Sequence, residues 1–207
     1  MYLRCYEIRG GVREVSFNQL ITFHSVDEAQ SPQESLQWFA MRDLKRRHAK
    51  LPAYKLFENL KVSYFTPMVH RLVVVNGKRV DQEVPFMPDL LFVKDSREHL
   101  DLIVESTPKL QYRYKIGVQH TPIIVPTAEM ERFIYAVESS ENPKFYSLNE
   151  VTSEMINRKI RIIGGKLDGY TGTLVTTRGS KVKRLLVELP SLLAASVEVE
   201  AEYIQLV

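Results

Sequence analysis

Five cations fall within nine residues in the stretch RDLKRRHAK: Arg42, Lys45, Arg46, Arg47 and Lys50, with His48 among them. Side chains of this type at this density neutralise phosphates and release condensed counterions, so binding through them is sequence-independent and salt-sensitive. The same run also suits a solvated helix entry, because charge is normal on a surface. Lys78 and Arg79, directly after Asn76-Gly77, can extend it. No base-stacking aromatic signature of the RNA-recognition type accompanies these cations, which points to backbone contact rather than base reading. A second basic group, Arg178, Lys181, Lys183 and Arg184 around Gly179, reads as a solvated loop.

Groups able to break or make bonds are not assembled in the same way. The histidines (His24, His48, His70, His99, His120) are scattered, and none stands at a metal-ligand spacing from another or from Cys5. Contexts for a nucleophile elbow, a phosphate loop, a zinc-protease helix or a dinucleotide fold are missing. Glu129 and Glu131 sit near a helix start, where the macrodipole accounts for them. The expectation is a protein without catalytic residues, metal or cofactor. Net charge is +3 and the isoelectric point about 8.9, so charge clustering matters more than its total. A single cysteine fits a reducing cytoplasm. The opening MYLRCYEIRGG has no apolar core of a secretory signal, and no apolar run reaches the ~20 residues that span a bilayer. A cytoplasmic chain with no membrane contact is expected.

The elements that must position these groups follow from periodicity. Residues 1–35 read as an extension, with strand candidates over 2–9, 15–17 and 20–23 and a polar linker over 24–35. Residues 36–140 alternate strands and helices. QWFAMR, centred on the only tryptophan, is a compact strand; Ala53, Leu56, Phe57 and Leu60 take i, i+3, i+4, i+7 spacing after Pro52. Residues 62–65 return to strand, and 71–75 and 78–84 flank Asn76-Gly77, which suits a type I′ turn. DLLFV (89–93) is a further strand. Asp95 with Glu98 predicts a capping box for a helix burying Leu100, Ile103 and Val104, stopped by Pro108. Residues 110–116 alternate as a half-buried strand. Thr127 is expected to cap a third helix with Met130, Phe133, Ile134 and Val137 on one face. This order predicts an antiparallel-rich sheet with helices against it.

Residues 141–154 are polar and contain Asn142-Pro143, which marks them as a linker. Five short β runs then fall in 155–207, at 159–163, 173–176, 184–189, 196–201 and 203–207, and predict a small barrel. Within KIRIIGGKLDGYTGTLVTT, Gly165, Gly169 and Gly172 mark where backbone geometry is demanded: a positive φ, or a close approach that excludes a Cβ.

That stretch resembles a KOW motif, with Gly172 at the motif's central glycine. QWFAMRDLKRRHAKLPAYKLFENLKVSYFTPM resembles the opening of the NGN domain of NusG-type transcription factors. VPFMPDLLFV and YRYKIGVQHTPIIVPTAEMERF resemble the family's later strands and last helix, in the family's order. Length and the divergent hairpin resemble the UpxY-type antiterminators of capsular polysaccharide operons. Asp89 and Leu90 stand where the family usually has a glycine and an aromatic, and PSLLAAS replaces the usual aromatic of the last barrel loop.

The resemblance implies an α+β fold, an antiparallel sheet flanked by helices followed by a small SH3-like β-barrel. It implies a non-enzymatic elongation or antitermination factor docked on the clamp coiled coil of RNA polymerase. The docking patch would hold Phe39, Met87, Leu90, Phe92 and Tyr114, although alternation equally allows these to be sheet core. The basic run would touch the backbone of DNA or nascent RNA, and the barrel a ribosomal or termination factor. The competing reading is an RNA-binding KOW protein of the translation apparatus.

Overall fold

The computed structural model describes residues 35–44, 51–176 and 179–207, and the described residues belong to one unit, Glu34–Val207. The strands expected in the extension, together with Lys45, Arg46, Arg47, His48, Lys50 and Arg178, lie outside the described residues.

Strand β1 (Gln37–Asp43) is the centre of the first sheet, and Trp38, Phe39, Ala40 and Met41 are all buried. A strand with four consecutive buried residues must be covered on both faces, because successive side chains point to opposite sides. At its end, the Asp43 carboxylate accepts the Ala53 N–H at 2.7 Å and so satisfies an orphan donor of α1 (Ala53–Leu60). Lys61 closes that helix in the left-handed region (φ 57°). β2 (Ser63–Phe65) follows. β3 (Met68–Val75) and β4 (Lys78–Pro85) form a separate two-stranded ribbon. Its turn has Asn76 and Gly77 at φ 50° and 76°, the two positive values a type I′ turn requires.

β5 (Leu90–Asp95) then pairs over its whole length with β1, from Gln37 to Arg42, and α2 (Arg97–Ser106) crosses back. The expected cap moves by one residue. Asp95 is still held in the ladder opposite Gln37, so Ser96 becomes the N-cap, its hydroxyl accepting the His99 N–H at 3.2 Å. β6 (Leu110–Tyr112) is shorter than the alternation predicted. The inner end of β1 is taken instead by β7 (Ile124–Val125), an unforeseen strand, and residues 113–122 fold on themselves with Tyr114 bridged to Pro122. α3 (Thr127–Ser139) buries Met130, Phe133 and Ala136; Pro126 is its N-cap, and no side chain caps it.

The order β2-β5-β1-β6, with β7 beside β1, is antiparallel throughout. On one face Phe39, Met41, Leu91, Val93, Leu110 and Tyr112 pack on α1 and α2. On the other, Trp38, Ala40, Leu90, Phe92 and Val125 meet α3 and side chains from the second sheet, Phe145, Leu189, Leu193 and Ala195 among them.

The second sheet begins inside the expected linker. β8 (Lys144–Tyr146) pairs with β12, because Phe145 is buried in the shared core with its ring 5.8 Å from that of Phe86. The chain continues through β9 (Ile156–Ile162), β10 (Thr171–Val175), β11 (Lys183–Leu189) and β12 (Leu193–Val199) as an antiparallel meander. After a 3-10 turn (Ala201–Tyr203), β13 (Ile204–Leu206) returns to β9, so the sheet runs β13-β9-β10-β11-β12-β8, an SH3-like arrangement with β8 added at one end. Arg184 corrects a sequence reading. It is buried, not part of a solvated loop, and reaches Ser196, Glu198 and the carbonyl of Asn142.

Candidate functional site

The expected docking residues part company in the fold. Phe39 is fully buried on the α1–α2 face, while Leu90 and Phe92 are fully buried on the α3 face, so none of the three can touch a partner in this arrangement. β5 is covered on both sides, and its run LLFV is core for that reason. Met87 is partly buried against the α3-side core. Tyr114 alone of the five is exposed, at 45%, with its ring 5.9 Å from that of His120 and 6.4 Å from that of Tyr112.

Around Tyr114 the fold builds a groove of about 690 Å³, between residues 111–126 and the β11–β12 turn. Arg42, Arg113, Lys115 and Glu129 supply its charges, and Ile116 and Ile124 its exposed apolar wall. Arg42 is the one member of the basic run that is described. It lies at the outer end of β1, its Nε 3.8 Å from Asp89 Oδ2. Arg113 donates to the same Asp89 oxygen at 2.8 Å. Asp89 therefore anchors two arginines at the mouth of β5. Arg113 and Lys115 were visible only as the polar half of an alternating strand. What makes them groove residues is the early end of β6, which turns 113–122 outwards.

Beneath the groove, Tyr112 donates to Asp101 Oδ1 at 2.7 Å, and Arg97 chelates Asp101 while lying 4.6 Å from the Tyr112 ring centre. Burial, then the hydrogen bond to Asp101, pushes the Tyr112 hydroxyl far above the ordinary tyrosine range. This network fixes β6 to α2. Among the described residues no three His, Cys, Asp or Glu side chains gather as a metal site, and no helix is long and apolar enough to cross a membrane.

The three glycines separate by cause. Gly165 and Gly169 have φ of 67° and 77°, and a Cβ on Gly165 would lie 3.1 Å from the Tyr203 ring. Gly172 has no unusual φ. A Cβ there would lie 2.5 Å from the Leu186 carbonyl oxygen, so β10 and β11 touch through its missing side chain.

Residues 36–134, from the start of β1 through the first turns of α3, match the NusG family, described as transcription termination factor nusG. Over these residues the chain is similar to that family. Among solved structures, one described as "Domain interaction in Thermotoga maritima NusG" is similar over 84% of this chain and 98% of that one, with 13% identity and a TM-score of 0.41. No curated protein matches the chain. The matched segment contains the first sheet, the ribbon, Arg42, Asp89 and the Tyr114 side of the groove.

Proposed function

We propose that this protein is a non-enzymatic transcription elongation or antitermination factor that binds RNA polymerase and nearby nucleic acid. The observation that carries the reading is the family match over residues 36–134, laid on a continuous order of strands and helices from β1 to α3. The polymerase clamp coiled coil is met by exposed apolar side chains around Tyr114: Ile116, Val118 and Ile124, with exposures of 102%, 52% and 42%. Large aromatic and aliphatic area beside a groove suits the face of a partner helix. Leu90 and Phe92 join this contact only if α3 and the β11–β12 side chains withdraw from them. Arg42 and the cations that follow it meet the DNA or RNA backbone. Processivity rises because a bridge across the cleft favours the closed clamp, a shift of population rather than a chemical step. A specialised role at a polysaccharide operon is the narrower form of the proposal.

Transcription in vitro through a pause or terminator, with and without the full chain, tests it. Faster elongation or more read-through is expected. Unchanged pausing and termination at saturating protein would overturn the proposal.

A further inference from the structure

The β3–β4 ribbon meets the α3-side core at its base, through Val69, and is largely exposed beyond it. It joins neither large sheet, and Leu72, Val74, Val75 and Val80 are 70%, 69%, 47% and 46% exposed. Register sorts its charge. Directly opposed residues share a face, so Val69–Val84, Arg71–Gln82, Val73–Val80 and Val75–Lys78 form one side. The other side holds His70–Glu83, Leu72–Asp81 and Val74–Arg79. Both acidic residues of the ribbon thus lie on the second side, where His70 Nδ1 meets Asp81 at 3.2 Å. The first side is free of carboxylates and carries Arg71, Lys78 and Gln82 around a valine stripe; only its base, where Val69 packs on the α3-side core and Arg71 Nη2 donates to the Phe86 carbonyl at 3.4 Å, meets the rest of the fold. Neither Lys78 nor Arg79 has an ion-pair partner among the described residues.

We propose that the carboxylate-free face of the β3–β4 ribbon enters the major groove of duplex DNA. The dimensions agree, since eight residues per strand span about 27 Å and two strands ~4.8 Å apart make a ribbon that a ~12 Å groove admits. Lys78, with Arg79 beside it at the tip, meets phosphates, while Arg71 and Gln82 carry groups that pair with base edges and the valines suit thymine methyls. A-form RNA offers no such entry, because its major groove is deep and narrow. The interaction is separate from polymerase docking and is read without polymerase.

The full chain is titrated with a labelled DNA duplex across a salt series, beside a variant carrying Arg71→Gln and Lys78→Gln. The valine stripe, the turn and the ladder are retained in it, and circular dichroism checks its fold. The log-log salt slope is expected to fall by about 0.9 for each phosphate that the variant no longer neutralises. Glu83→Gln, on the other face, is expected to change the slope by much less. Equal slopes for wild type and the double variant would overturn the proposal, as would equal affinity for an RNA duplex of the same sequence. Self-association abolished by Leu72→Ser with Val74→Ser, without change in DNA binding by that variant or the double variant, would also overturn it and assign the ribbon to a second copy.

Discussion

Gly172 is held by a carbonyl oxygen rather than by its own backbone angle. A Cβ at 2.5 Å from Leu186 O and 2.8 Å from Leu185 Cδ1 cannot be relieved by a side-chain rotation alone, since one neighbour is backbone. Gly172→Val is expected to cost at least ~2 kcal/mol by overpacking the β10–β11 interface. Urea denaturation checks this, and an unchanged midpoint would contradict it. The glycine spacing carried this position in the sequence because turns and close approaches are the places that demand glycine. Leu90 and Phe92 were not legible in the same way. A short apolar run is the same string whether it faces a partner or is buried on both sides, and only α3 and the second sheet decide which. Tyr112 gives a test at the same scale. Its hydroxyl is held protonated above the ordinary value of 10.0 by burial and by Asp101. Its contribution is therefore full below about pH 10 and is lost as pH rises above it, because the unfolded chain ionises first. Tyr112→Phe is expected to flatten that alkaline fall and to cost about 1 kcal/mol at neutral pH. An unaltered alkaline profile would show that the network does not hold the proton.

At the scale of elements, periodicity was a faithful guide where an element was long enough to repeat. α1, α3 and the ribbon stand within a few residues of their expected bounds, because each spends a full apolar face or a strict turn signal. β7 and β8 escaped because two or three residues cannot establish a period, and they exist through pairing alone. β8 is also pinned by Arg184, whose guanidinium bonds Ser196, Glu198 and Asn142 from a nearly dry site. Solvated-loop composition concealed it, since the neighbours Lys181 and Lys183 are exposed. Arg184→Met is expected to destabilise the fold by about 3 kcal/mol, because it strands two carbonyls and a half-buried carboxylate at once. Protection of the Phe145 and Tyr146 amides from hydrogen exchange is expected to fall in the same variant. Wild-type protection there would mean that β8 is held by Phe145 alone.

For the whole molecule, the decisive feature is one apolar core drawn from both ends of the described chain. Trp38, Leu90, Phe92 and Phe133 share it with Phe145, Leu189 and Leu193. Removing the Phe145 ring is expected to cost ~3–5 kcal/mol and to loosen both sheets together. The single tryptophan, Trp38, reports directly from this core. Its fluorescence change and the far-ultraviolet circular dichroism change are expected to coincide on heating, for wild type and Phe145→Ala alike. Two separated transitions would show that the sheets fold independently. The proposed action on RNA polymerase is tested most directly by the binding of the purified chain to purified polymerase, with ribosomal subunits as the parallel sample. Saturable binding to polymerase is expected, weakened by Tyr114→Ser with Ile116→Ser in a folded protein. Retention on ribosomal subunits with none on polymerase would contradict it.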